Sequence, residues 1–242
     1  FKAGKTNAVQ SAFWLPSPAE ELYDLASDPH EINNLAALPQ HTATRDRLAT
    51  ALFQHMESTV DLAFLPEAEM DRRVGTGSPY DWARQAGNYD FGRVQPIAGR
   101  ATRGVPTLPA KIRAQLHDSD SLVRYWTMRG LTISDPAEVT RHIADFHELL
   151  DDPSVDVSVA AADLLVRHGV NADVLAGLKH LSRWITPASN HFELMAALTV
   201  IDNLGERAAS LHPKIREFPG ENITGLARGY IFDVPNLLTH IL

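Results

Sequence analysis

The chain has no cysteine among its 242 residues. That excludes disulfides, thiolate zinc sites and cysteine nucleophiles together. It leaves the compartment open, because a cysteine-free protein tolerates oxidising and reducing surroundings alike. No apolar run approaches the ~18 residues needed to cross a bilayer, so no membrane span is expected. Base is also in short supply: 22 Lys and Arg stand against 30 Asp and Glu, a formal charge of −8. This argues against a nucleic-acid binder, since phosphate backbones are held by positive surface. There is no initiator Met and no signal-like stretch after Phe1, and the chain is expected to be a piece of a longer polypeptide. What it does have is 44% apolar residues, enough at this length for one large core or two smaller ones.

Three regions differ in texture, at 1–75, 76–106 and 107–242. In the first, Ala12-Phe13-Trp14-Leu15 has the look of a short strand ended by Pro16, and Glu21 to Leu25 alternates polar and apolar side chains. Asp28-Pro29-His30-Glu31 reads as a helix start, with an N-cap, a proline at the first helical position and a capping-box glutamate. Between Thr42 and Thr59, Leu48, Leu52 and His55-Met56 recur at helical spacing and predict one buried face. The second region, with Gly75-Thr76-Gly77-Ser78-Pro79 at its start, reads as a linker.

The third region repeats. Leu116, Asp118, Val123 and Leu131 recur 34 positions later as Leu150, Asp152, Val157 and Leu165. A looser copy follows 36 positions on, where Ala161, Leu165 and Gly169 return as Ala197, Ile201 and Gly205. A period in the thirties split into two helical patterns is the signature of an α-solenoid of about three helix pairs. Ala160, Ala161, Ala162, Ala196 and Ala197 allow close helix approach. The segment from Pro219 to Leu242 is expected to cap the last pair, because Ile231, Leu237, Leu238 and Ile241 need cover. The expected fold class is therefore mainly α: a solenoid after a small α+β piece.

Glu21-Leu22-Tyr23-Asp24-Leu25, Asp28-Pro29, Glu31 and Asn34-Leu35-Ala36 place eleven characteristic residues within sixteen positions. This pattern resembles the motif near the C-terminal end of sulfatase catalytic units. Phe64-Leu65-Pro66-Glu67-Ala68-Glu69-Met70, with Ser78-Pro79-Tyr80, is similar to the stretch joining that unit to a helical extension in one branch of bacterial sulfatases. Val123-Arg124-Tyr125-Trp126, with Gly130-Leu131, resembles the first HEAT-like repeat of that extension. The resemblance implies a formylglycine-dependent parent of the alkaline-phosphatase-like superfamily that hydrolyses sulfate esters or sulfamates, with calcium as its metal. It also implies that residues 1–75 are the tail of the sulfatase subdomain and that the catalytic domain of the same polypeptide is the first partner. Periplasmic or secreted location follows from the resemblance alone.

No catalytic residue carries over. The family's C/S-x-P-x-R nucleophile motif is approached only by Ser27-Asp28-Pro29-His30-Glu31 and Ser134-Asp135-Pro136-Ala137-Glu138. Each puts a glutamate where a sulfate-holding arginine belongs. No cofactor and no metal site is therefore expected in this chain. HEAT-type repeats often bridge units through an Asp at the inter-helix turn and an Arg on the second helix. Asp118 and Arg124 fit, whereas Ser158 replaces the arginine in the next unit. A second class of function is an independent HEAT-like interaction or oligomerisation module, including a homo-oligomer.

The remaining motifs are weak. His147-Glu148 followed by Asp151 imitates a zinc-protease helix without its second histidine or a third ligand. Gly4-Lys5-Thr6 lacks the rest of a phosphate loop, and Asn222-Ile223-Thr224 fits a glycosylation acceptor. Trp126 and Trp184 are expected in the core, and Tyr80 and Trp82 in the linker. One stretch stands out: Arg84, Arg93, Arg100, Arg103, Lys111 and Arg113 face only Asp81 and Asp90. Arginine suits bidentate contact with sulfate, so Arg93, Arg100 and Arg103 are candidate contacts to a sulfated carbohydrate. The simpler reading is that these arginines pair structurally or face water. Charge reversal of Arg100 and Arg103 tests the contact: retention on a sulfated-polysaccharide column should weaken, and unchanged retention removes the idea.

Overall fold

The computed structural model describes residues 4–15, 17–103, 109–218 and 232–242. The chain is mainly helical, and the described residues contain no strand. In chain order the helices are α1 (Ala8–Ala12), α2 (Thr42–Thr59), α3 (Glu67–Val74), α4 (Pro79–Ala83), α5 (Phe91–Thr102), α6 (Pro109–Leu116) and α7 (Ser121–Leu131). They continue as α8 (Pro136–Val139), α9 (Ile143–Leu149), α10 (Val155–His168), α11 (Asn171–Trp184), α12 (His191–Leu204), α13 (His212–Glu217) and α14 (Asp233–Ile241).

The first region departs from its sequence pattern. Asn7 closes a capping box with Gln10 and starts α1, so Ala12 is helical, and residues 13–15 follow as turn and bend, not as a strand. No helix starts at Asp28. Its carboxylate accepts the Ile32 and Asn33 amides at 2.9 and 2.7 Å, and Glu31 takes a left-handed backbone (φ 53°) that a helix cannot contain. Asn34 closes the loop. Its side-chain oxygen accepts the Leu22 and Ala36 amides at 3.0 and 2.9 Å, and its side-chain nitrogen donates to the Glu20 carbonyl at 3.1 Å. These bonds satisfy backbone groups that a partner strand would otherwise take. Helix α2 forms where its periodicity predicts, but it buries no residue. Leu48 and Leu52 stand 43% and 55% exposed.

The stretch read as a linker is helical over α4 and α5, apart from residues 104–106, which lie outside the described residues. Helix α5 starts on Asp90, whose side chain accepts the Arg93 amide at 3.0 Å. It buries Phe91, Val94, Ile97, Ala98 and Ala101. Its close approach to α7 rests on small residues: a methyl group on Gly130 would lie 3.5 Å from the Ala101 side chain. Glycine and proline in this segment thus punctuate helices that pack.

From α5 onward the helices pack in succession. Helix α7 lies against α5 and α10, and α10 lies against α12. Helices α6, α9 and α11 precede α7, α10 and α12 and pack on their flanks. The N-caps Asp120, Ser154 and Asn190 of α7, α10 and α12 are spaced 34 and 36 residues apart. Most equivalent positions share burial, although Leu116 is buried and Leu150 half-buried. Val123 and Val157, Leu131 and Leu165, and Ala161 and Ala197 are all buried. Gly177 permits the α10–α11 approach, since a side chain there would meet the Ala162 carbonyl at 2.7 Å.

The described core forms three clusters. Leu65, Val94 and Leu122 centre the first, under Phe64, Met70, Trp82 and Trp126. Ile112, Met128, Phe146 and Leu165 belong to the second. The third runs from Val166 through Leu181, Leu194 and Ile201 to Val234 and Leu238 of α14. Helix α14 thus covers the end of the array as expected, with Leu237 and Ile241 half-buried beside it. Ile231 and the rest of 219–231 lie outside the described residues. Leu165 is wholly buried in the second cluster. Leu165→Ala should therefore cost ~2–5 kcal/mol by lost transfer energy and cavity formation. Denaturant unfolding measures this, and an unchanged midpoint would refute the packing.

Candidate functional site

Glu69 sits on the first turn of α3 and is 2% exposed. Arg72 reaches it through Nε at 3.0 Å, and Arg73 through Nε at 2.5 Å. The hydroxyl of Ser121, the first residue of α7, donates to the same carboxylate. So does that of Ser154, the N-cap of α10, at 2.7 Å. Two helix N-termini therefore converge on one anion, where their dipoles favour negative charge. Arg73 continues to the Asp120 carboxylate at 2.5 Å and to the Ser121 hydroxyl at 2.6 Å. Burial alone would raise the Glu69 pKa. The hydrogen bonds from Arg72, Ser121, Ser154 and Arg73 outweigh it and hold the group at about 2.

Asp156, in the first turn of α10, is the counterpart. Its carboxylate accepts the Glu69 amide at 2.8 Å, and it joins no ion pair among the described residues. Burial pushes its pKa up to about 7; the Glu69 amide and the positive charge of Arg72 oppose that rise, while the negative charges of Glu69 and Glu67 add to it. Asp156 lines a groove of about 500 Å3 between α7, α10 and α12, together with Glu67 and Ala68 of α3 and the charged side chains of Arg129, Asp163 and Arg167. Asp163 is paired with Arg167 at 2.6 Å.

A second set of ion pairs ties successive helices together. Arg124 on α7 grips Asp152, ahead of α10, with two bonds of 2.7 and 2.8 Å, and also donates to the Asp118 carbonyl at 2.6 Å. The Asp118 carboxylate instead takes Arg93 of α5 at 2.5 Å. The rungs stop at α10, where Ser158 stands at the position of Arg124 and Ala188 at that of Asp152. Arginine and acid disappear together, so no carboxylate is stranded. Ser158 is hydrogen-bonded to His180 at 3.1 Å, and Trp184 donates to the same imidazole nitrogen at 3.3 Å. Burial lowers the His180 pKa to about 4, which keeps the ring neutral.

The three candidate arginines do not form an unpaired cluster. Arg93 is committed to Asp118. Arg103, which caps the C-terminus of α5, pairs with Glu20 at 3.0 Å and lies 5.6 Å from the Phe53 ring centre. Arg100 is half-buried on α5 and joins no ion pair among the described residues. Elsewhere in the basic stretch, Arg84 stacks on Tyr80 and Arg113 pairs with Asp145 at 3.3 Å. His147 is bonded to Asp173 at 2.7 Å rather than to a ligand set. Among the described residues no group of three His, Asp or Glu side chains has the arrangement of a metal site. Asn222-Ile223-Thr224 lies outside the described residues. Trp126 is half-buried, donating to the Phe64 carbonyl at 2.8 Å, and Trp82 packs in the same cluster.

No protein-family model, curated protein or solved structure matches the chain. The function therefore rests on residues and geometry. Sequence reasoning quoted Glu69 inside a motif without a role and passed over Asp156. The available signal was Pro66 followed by two acids, Glu67 and Glu69, which suits the first turn of a helix.

The opposed pKa values set a pH dependence. Glu69 is depressed, so its stabilisation is present above about 4.5 and is lost as pH falls toward 2. Asp156 is raised, so stability associated with its protonated form is present below about 3.8 and is lost as pH rises through 7. Asp156→Asn should leave the melting temperature near the parent's at pH 4 and raise it at pH 8, by on the order of 2–4 kcal/mol of stability. Glu69→Gln should destabilise by about 3–5 kcal/mol at pH 7, because two arginines lose a buried partner. Thermal melts from pH 2 to 8 check both, and parallel curves for Asp156→Asn and the parent would refute the assignment.

Proposed function

We propose that this chain is the non-catalytic C-terminal part of a sulfatase, in which residues 1–75 complete the catalytic unit and a HEAT-like solenoid braces it. The observation that carries the reading is the uneven burial of apolar surface. From Leu62 to α14 the helices share three packed clusters, whereas α2 buries nothing and exposes Leu48 and Leu52. Phe13 and Trp14 are 83% and 60% exposed nearby in sequence. Leu48 and Leu52, one turn apart on α2 and open to water, lack a surface to meet. A catalytic α/β domain of the same polypeptide would supply it.

Two further features support the reading. Asp24, Asp28 and Asn34, which carry the sulfatase-like motif, each hold a specific backbone bond in one closed loop. The succession α5, α7, α10 and α12, with N-caps at near-constant intervals and the Arg124–Asp152 bridge, matches what HEAT-like stacking requires.

The family's calcium and formylglycine would belong to the catalytic domain, since residues here fit neither. Ser27 donates to Asp24, and Ser134 to the Gly130 carbonyl, each beside a turn-forming aspartate. No step of sulfate hydrolysis is assigned to this chain. The parent's substrates would be sulfate esters or sulfamates, with sulfated carbohydrates foremost.

The second reading is an interaction or oligomerisation module. The same exposed stripe favours it, because a second copy could cover it. The two separate in one experiment. If the first reading holds, the purified chain binds a separately expressed catalytic domain bearing a C/S-x-P-x-R motif and improves its turnover. Leu48→Glu with Leu52→Glu should then weaken binding at least tenfold. Self-association abolished by the same substitutions would favour the module. Absence of both outcomes would overturn the two readings together.

A further inference from the structure

No residue of the three core clusters precedes Leu62. The residues before it are fastened to one another. Arg45 on α2 donates to the Ala36 carbonyl at 3.0 Å and stands 4.0 Å from the Glu20 carboxylate, so the loop closed by Asn34 is tied to the helix. Between residues 20–59 and the packed helices, by contrast, the ties are few and polar. Exposed Arg84, the C-cap of α4, stacks on Tyr80 at 3.4 Å and donates to the Thr59 carbonyl at the end of α2. Arg103 pairs with Glu20 at 3.0 Å, the two side chains being 39% and 33% exposed. Glu57 approaches α5 at Gly92, where an added methyl would lie 3.9 Å from its carboxylate.

The two parts join at Val60, the C-cap of α2. Its backbone is left-handed (φ 52°, ψ 59°), and the Asp61 amide returns to the Met56 carbonyl at 2.9 Å. Glycine or asparagine is usual in such a cap, and a β-branched residue there is strained. Strain of this kind persists only where the surroundings hold it. Apart from the bonds of the cap itself, the holders here are two solvent-accessible arginines and no shared core. Rotation of Val60 into the extended region relieves the strain and swings everything before it about Leu62. Hinges are commonly a few residues at the end of an element that absorb such a backbone change. We propose that residues 20–59 are an arm hinged at Val60 and latched by Arg84 and Arg103. In the closed state Val60 is left-handed and both arginines are engaged; in the open state Val60 is extended and both are released. Opening re-aims Leu48 and Leu52 relative to the helices beyond Leu62, whichever surface covers them, so the hinge stands independently of the sulfatase reading.

A chain without cysteine accepts paired spin labels at chosen sites and nowhere else. Gln54→Cys on α2 with Lys179→Cys on α11 reports the arm against the packed helices. Lys111→Cys on α6 with Lys179→Cys reports those helices alone. All four positions are exposed. Distances between labels are measured by electron-spin dipolar spectroscopy on the whole chain, in low salt and in ~1 M salt, where the Debye length is ~3 Å and the Arg103–Glu20 pair is screened. The arm pair should show one main distance in low salt and gain a second in high salt. Arg84→Gln with Arg103→Gln should raise the population of that second distance at least tenfold in low salt. Val60→Asn, which takes up left-handed backbone without the β-branched penalty, should lower it severalfold in high salt. The Lys111–Lys179 pair should keep one distance throughout. An arm distance unchanged by the double arginine substitution, an equal change in the Lys111–Lys179 pair, or a larger second population in Val60→Asn would overturn the hinge. If the double variant does not fold, high salt on the parent replaces it, and an unchanged arm distance there refutes the latch.

Discussion

The structure turns on one buried carboxylate. Glu69 gathers two arginines from its own helix and two serine hydroxyls from the N-termini of α7 and α10. A charge taken out of water has to be surrounded by donors, and no single helix can provide enough of them. The convergence therefore fixes where α3 lies across the ends of two successive helices, and with it the path of the chain from α2 into the array. Ser154 gives its hydroxyl to Glu69 instead of capping its own helix in the usual way, so the local preference of α10 is subordinated to this junction. Asp156 bears the cost on the neighbouring turn, its own charge disfavoured by burial and by Glu69.

Beyond that junction, order is carried by shape and by a short series of ion pairs. Arg93 with Asp118 and Arg124 with Asp152 bind successive helices where the stack is nearest the Glu69 site. Farther along, Ser158, His180 and Trp184 replace charge with a neutral buried network, and the third cluster, with the largest number of buried apolar residues, takes over. The arginines that gave the 84–113 stretch its basic character are mostly spent on this internal pairing. Their concentration in sequence reflects the acids waiting for them at the turns of the next helices and, for Arg103, at Glu20.

The residues before α3 follow a different rule. Asp24, Asp28 and Asn34 bond to backbone groups within a few positions or across one loop, so the segment is shaped locally and contributes almost no core. Phe13, Trp14, Leu25, Ile32, Leu48 and Leu52 are left to water. A region with a well-defined loop and no interior of its own is what a subdomain looks like when its core lies in something else, and this is why the sulfatase reading and the module reading both place a contact here.

The helices from α6 to α12 were legible because their 34- and 36-residue recurrence places apolar residues at matching depths, and periodicity is a property of the chain itself. The Arg124–Asp152 bridge was half legible: the residue pair was visible, but which Asp each Arg would meet was not. The strand at 12–15, the helix at Asp28 and the buried face of α2 were misread for one reason. Each is a pattern whose outcome depends on a partner: Asn7 caps a helical turn, the Asp28 carboxylate closes on the Ile32 and Asn33 amides, and Leu48 and Leu52 of α2 meet none among the described residues. The linker was misread because Gly130 and Ala101, far apart in sequence, let α5 settle against α7. By itself the sequence determined the helical class, the repeat spacing and the absence of thiol chemistry, since these depend on residue types and intervals along the chain. Only the tertiary structure decided that Glu69 is the junction and that Asp156 is nearly buried outside any ion pair among the described residues, because burial and charge pairing arise from which distant segments meet.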